Sequence, residues 1–237
     1  MSTPRRAVLL AALFFSLLEA QNLDKPPFPG WRESTVLKLL TDSPWARPVK
    51  VSLRWTKRED QPVSYKEVPG ADASPTRGSG SPLGGIGVPK IKLPLDAELI
   101  VRWASALPVR QAAALYKQRD AGLPPSKINE MVGVPSEDYI LEIRGIPSEI
   151  AHSGAESVEM IARQSCRLRT ASGRTLQPSR ARVNIQGSTL TVYIHFPRTQ
   201  PLTVGDRDVE FSADFQIFEF RQRFRLASMT YLGRIEL

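Results

Sequence analysis

Between Cys166 and Leu237 several short runs carry apolar residues at alternate positions, and this pattern restricts the fold more than any other feature. Leu190, Val192, Ile194 and Phe196 alternate with Thr191, Tyr193 and His195, and Val183 and Ile185 alternate with Arg182 and Asn184. Val209, Phe211 and Ala213 form a third run. In a fourth, Phe218, Phe220, Phe224 and Leu226 oppose Glu219, Arg221, Arg223 and Arg225. Successive side chains of a strand point to opposite faces, so each run predicts a strand with one buried and one wet face. Gly187-Ser188 lies between two of the runs and predicts a tight hairpin.

The same period appears earlier in the chain, in Val49, Val51, Leu53 and Trp55, in Leu99, Val101 and Trp103, and in Tyr139, Leu141 and Ile143. Helical spacing appears over 31–40, where Trp31, Thr35, Val36, Leu39 and Leu40 share a side until Ser43-Pro44 stops the helix. A second helix is predicted over 108–119, with a proline near its start and Gly122 beyond its end, with Val109, Ala112, Ala113 and Tyr116 on one face. A third is predicted over 155–164, and 126–131 has room for a further turn or two. The expected fold is therefore α+β: a mainly antiparallel β-sheet or sandwich with two or three short helices.

Residues 57–92 break this regularity with repeated Pro and Gly and few large apolar residues. A structureless loop of this length is uncommon inside a compact domain, so the stretch reads as a flexible insertion. The expected organisation is a signal peptide over 1–20, an N-terminal helix and first strand over 21–56, the insertion over 57–92, and the main α+β domain over 93–237, strand-rich from 166.

The signal peptide is read from Arg5 and Arg6, the apolar run Ala7–Leu18 interrupted only by Ser16, and a small residue at Ala20 before Gln21. The run is about 12 residues, against roughly 20 for a helix that spans a bilayer. The expected location is periplasmic or extracellular, with no transmembrane segment after cleavage. Cys166 is the only cysteine, so no disulfide can form within the chain and stability must come from the core. Its place beside a strand predicts a buried, inert thiol.

The chain has 32 Lys and Arg against 24 Asp and Glu, a net charge of +8, an excess that favours anionic partners but is equally compatible with a solvated surface that binds no polyanion. Arginine dominates the excess. Arg167, Arg169, Arg180 and Arg182 fall in a stretch without acids, and Arg221, Arg223 and Arg225 would form a row on one strand face. Planar guanidinium forks suit phosphate and carboxylate, so these seven are the candidate anion-binding residues. Tyr193 is the one aromatic placed to interleave with them, so no specific nucleic-acid binding is expected.

Catalytic signatures are missing. There is no HExxH, CxxC, GxSxG or Walker loop, and the two histidines, His152 and His195, are far apart in sequence. Gly84-Gly85-Ile86-Gly87 lies in the Pro-rich stretch, where it reads as flexibility. Asp206, Asp208 and Glu210 sit at alternate positions that could share a face and hold Ca²⁺, but Arg207 lies among them and a solvated strand edge is expected. No catalytic residue, metal site or cofactor is assigned.

Several segments resemble a family of uncharacterised exported bacterial proteins. They are Leu40-Thr41-Asp42-Ser43-Pro44-Trp45-Ala46, Arg102-Trp103 with Ser105–Ala112, Phe196–Pro201, Asp208–Phe211 and Tyr231–Leu237. The resemblance implies a signal-bearing, stand-alone domain and carries no activity, substrate or catalytic residue. The expected role is a non-catalytic binding or accessory domain whose partner is a protein or an anionic polymer of the cell envelope. The alternatives are an exported hydrolase using carboxylates such as Glu142, Asp208 or Glu210, and a polyanion binder acting through the arginine rows.

Overall fold

A computed structural model describes residues 27–54 and 95–237. The expected signal peptide and the Pro/Gly-rich stretch over 57–92 lie outside the described residues. The chain forms an α+β fold whose sheets are antiparallel throughout.

One sheet has five strands in the order β1-β2-β3-β7-β6: β1 (Ala46–Ser52), β2 (Asp96–Trp103), β3 (Asp138–Pro147), β6 (Arg180–Gln186) and β7 (Thr189–Pro197). The second is ordered β5-β4-β8-β9: β4 (Arg167–Thr170), β5 (Thr175–Leu176), β8 (Asp208–Asp214) and β9 (Glu219–Arg225). A small ribbon pairs β10 (Thr230–Tyr231) with β11 (Arg234–Ile235). The period-two runs become these strands because each supplies an apolar face. Leu99, Val101, Leu141, Ile143, Val192 and Ile194 are fully buried from the first sheet, and Leu168, Val209 and Phe211 from the second.

The two buried faces pack together. Trp103 meets Phe224 edge-to-face at 5.8 Å between ring centroids, and Phe196 meets Phe211 likewise at 6.3 Å. Burial of each such side chain contributes roughly 1.5–3 kcal/mol, with more from the ring geometry. Cys166 sits in this core, and burial pushes its thiol up to about 12.

Two glycines have backbone reasons. Gly187 has φ +58°, which suits the two-residue turn between β6 and β7. Gly145 has φ +86° at the register shift in β3, and a Cβ there would lie 2.9 Å from the main-chain oxygen of Glu98 on β2.

Helix α1 (Glu33–Thr41) buries Val36, Leu39 and Leu40 and packs on α2 (Leu107–Asp120). The buried set of α2 is Pro108, Val109, Ala112, Ala114 and Leu115, whereas Tyr116 is 46% exposed. The apolar stripe is thus rotated from the one its spacing predicts, with Leu115 buried in place of Tyr116. Helix α3 (Ile128–Val132) supplies the extra turn, and Arg110 Nη1 donates to the main-chain oxygens of Val132 and Gly133 at 3.1 and 3.0 Å.

Helix α4 (Ala155–Ser165) lies against β6, β7 and β8. Its Glu159 accepts the main-chain N–H of Val183 at 3.0 Å on the outer edge of β6, and Arg182 Nη1 donates to the same carboxylate at 3.4 Å.

Candidate anion-binding surface

The register of the four-stranded sheet decides which arginines meet. Arg167 on β4 stands opposite Ser212 on β8, which stands opposite Arg221 on β9. In the next row Arg169, Glu210 and Arg223 are aligned, and one row further Asp208 faces Arg225. The alternate residues Leu168, Phe211, Val209 and Phe224 point into the core, so these three rows share the outer face. Five of the seven candidate arginines therefore lie on one surface, with a strip of carboxylates between them.

Those charges are only loosely paired. Arg223 Nη2 lies 3.6 Å from Glu210 Oε2, with the two side chains 69% and 30% exposed. Arg167 donates to the main-chain oxygen of Cys166 at 2.6 Å, while Arg169, Arg221 and Arg225 form no ion pair among the described residues. A groove of about 340 Å³ opens here, lined by Arg169, Thr170, Ala171, Gly173, Asp208, Glu210 and Arg223.

Next to Gly173 in sequence, Arg174 ties down the turn that precedes β8. Arg174 Nη2 contacts both carboxylate oxygens of Asp206 at 3.2 Å and Nη1 donates to the main-chain oxygen of Gln200 at 2.9 Å. Asp206 also accepts from the main-chain N–H of Thr203 at 2.9 Å, as part of a capping box at a short 3₁₀ turn. Asp206 is thereby committed to the turn and does not join Asp208 and Glu210 on the strand face. Among the described residues no group of three His, Cys, Asp or Glu is arranged to hold a metal ion.

Arg180 and Arg182 lie elsewhere, on the outer face of the five-stranded sheet. Cross-strand register there aligns Ala46, Arg102, Glu142, Tyr193 and Arg182 in one row. Glu142, only 2% exposed, accepts from Arg102 Nε at 2.6 Å and Arg102 Nη2 at 2.9 Å, with Arg144 Nε at 3.5 Å. Burial, and then the neighbouring Glu142 carboxylate, raises the Tyr193 phenol.

One row away Arg180 Nη2 lies 3.1 Å from His195 Nδ1, and Asp138 Oδ2 lies 3.4 Å from the same nitrogen. A guanidinium can only donate and a carboxylate can only accept, so Nδ1 serves Arg180 when it is unprotonated and Asp138 when it carries the proton. Burial, reinforced by Arg180, lowers the imidazole below its ordinary value, and Asp138 only partly offsets this.

Of the three carboxylates considered for hydrolysis, Asp208 and Glu210 line one groove and Glu142 lies apart from them. Glu142 is saturated by arginine on one outer face of the sandwich, while Asp208 and Glu210 occupy the other. The Arg102–Glu142 pair carries no signal in single-chain spacing, since both residues read as ordinary wet-face positions of alternating strands. Only the register between β2 and β3 puts them face to face.

Hydrogen bonds tie Trp45 and Arg198 to the C-terminal residues and Trp103 to Trp45. Trp45 Nε1 donates to the main-chain oxygen of Glu236 at 2.7 Å, the Trp103 N–H donates to the oxygen of Trp45 at 2.9 Å, and Arg198 Nη2 donates to the main-chain oxygen of Leu237 at 2.5 Å. The Arg198 guanidinium also lies 4.4 Å from the ring centre of Tyr139. These are packing contacts that close the sandwich, and none presents an open reactive group.

Comparison with protein-family models, with curated proteins and with solved structures finds no match to this chain.

Proposed function

We propose that the chain is an exported, non-catalytic binding domain whose ligand is an anionic polymer of the cell envelope, held on the outer face of the four-stranded sheet. The observation that carries this reading is the alignment of Arg167, Arg169, Arg221, Arg223 and Arg225 on one wet face. Rows on a rigid sheet offer several guanidinium groups at fixed spacing, which suits a polymer with repeated charge better than a single small ion. Export is proposed on the charged, apolar, small-residue order of residues 1–20.

Two measurements test the reading. Mass analysis of the protein recovered outside the cytoplasm should give a chain that begins at or near Gln21; an intact Met1 overturns the export reading. Binding of the mature protein to envelope polyanions should weaken at least about tenfold between about 50 and about 200 mM salt, as two or more ionic contacts require. Arg221→Gln, Arg223→Gln and Arg225→Gln together should remove that salt-sensitive binding. Binding that is insensitive both to salt and to these changes overturns the polyanion reading.

A further inference from the structure

The groove between the arginine rows has an alternation that a simple polyphosphate binder would not need. Glu210 stands between Arg169 and Arg223, and Asp208 follows one row on, opposite Arg225. Neighbouring strands lie about 4.8 Å apart, so the two guanidinium groups of the central row spring from backbone roughly 10 Å apart with a carboxylate midway. Among the described residues Glu210 has a single ionic contact, at 3.6 Å, which leaves most of its lone pairs to accept hydrogen bonds.

We propose that this groove selects an acidic polysaccharide, a hydroxyl-bearing chain of sparse negative charge, over a polyphosphate or a nucleic acid. The inference rests on the polyanion reading above and names its ligand class. Sugar hydroxyls donate to Glu210 and Asp208 while the carboxylates of the same chain reach Arg169, Arg223 and Arg225. A strand of nucleic acid carries a charge about every 3.4 Å. Polymers so densely charged must set anionic groups against Glu210 and Asp208, where like charges repel. Among the described residues no aromatic side chain lines the groove, so bases find no stacking partner there. Its volume of about 340 Å³ lies at the lower end of small-ligand sites and suits a short stretch of a glycan chain.

The test is titration calorimetry of the mature protein with an oligogalacturonate, an uncharged malto-oligosaccharide of equal length and a linear polyphosphate of matched charge. Wild-type protein should bind the oligogalacturonate at least about tenfold more tightly than either of the others. Arg169→Gln with Arg223→Gln should lower oligogalacturonate affinity by a similar factor. Glu210→Gln should weaken oligogalacturonate binding several-fold and strengthen polyphosphate binding, a reversal that a purely structural role for Glu210 does not produce. Tighter binding of polyphosphate by the wild type, or strengthening of both ligands by Glu210→Gln, overturns the glycan assignment and leaves the polyanion reading standing. Absence of salt-sensitive binding to either anion removes both.

Discussion

The Trp45 indole N–H donates to the main-chain oxygen of Glu236 across 191 positions of sequence, whereas the Trp103 indole N–H, on an equally buried ring, has no hydrogen-bond partner among the described residues. Both rings are fully buried, so their replacement separates packing from hydrogen bonding. Either tryptophan changed to Ala should cost about 3–5 kcal/mol in urea unfolding. Changed to Phe, Trp45 should cost about 1 kcal/mol more than Trp103, because a buried acceptor is orphaned only at Trp45. Equal losses for the two Phe variants would remove the indole bond from the account.

Arg102 and Glu142 form a buried, bidentate ion pair on the outer face of the five-stranded sheet. Glu142→Ala leaves a guanidinium without its main counter-charge and should cost about 3–5 kcal/mol. Arg102→Met combined with Glu142→Leu should recover most of that loss, since neither charge then has to be desolvated. A double variant as unstable as the single one would mean that the pair organises the sheet beyond its own charges.

His195 predicts a pH dependence of definite sign. Burial, then Arg180, holds its imidazole below the ordinary 6.5, against an opposing pull from Asp138 and with Arg182 adding to the repulsion. As pH falls below about 6.5 the unfolded chain takes up a proton that the folded chain refuses, so this group lowers stability in acid and leaves it unchanged above that range. Urea midpoints measured from about pH 7 to about pH 5 should therefore shift in favour of His195→Gln relative to the wild type. Parallel curves would show that the ring titrates in the fold as it does in the unfolded chain.

The thiol of Cys166, pushed up to about 12, should resist alkylation in the native protein at mildly alkaline pH and react at once in denaturant. Mass spectrometry after an iodoacetamide pulse distinguishes these states. Rapid native labelling would show that the core opens around α4 and β4.

Period-two runs were enough to place β3, β7, β8 and β9 because each pairs one apolar face with one polar face, and Gly187-Ser188 marked the hairpin between β6 and β7. Pairing between distant strands leaves no such trace. Arg169, Glu210 and Arg223 come from three separate segments, and nothing in local spacing aligns them. For the same reason spacing left open whether the arginine rows meet, and register puts Arg180 and Arg182 on the other sheet from Arg167 and Arg169. Tyr116 misled because helical spacing locates an apolar stripe only to within one position, and tertiary packing decides which edge is covered.

Glu159 closes a route to self-association. An edge strand such as β6 can recruit the edge of another molecule through its free N–H groups and so seed polymers. With its carboxylate already bound to Val183 N–H and its charge set against Arg182, Glu159 places an anionic stop midway along that edge. A second strand could dock there only by displacing it, so this margin of the sheet resists zipping against the edge of another copy.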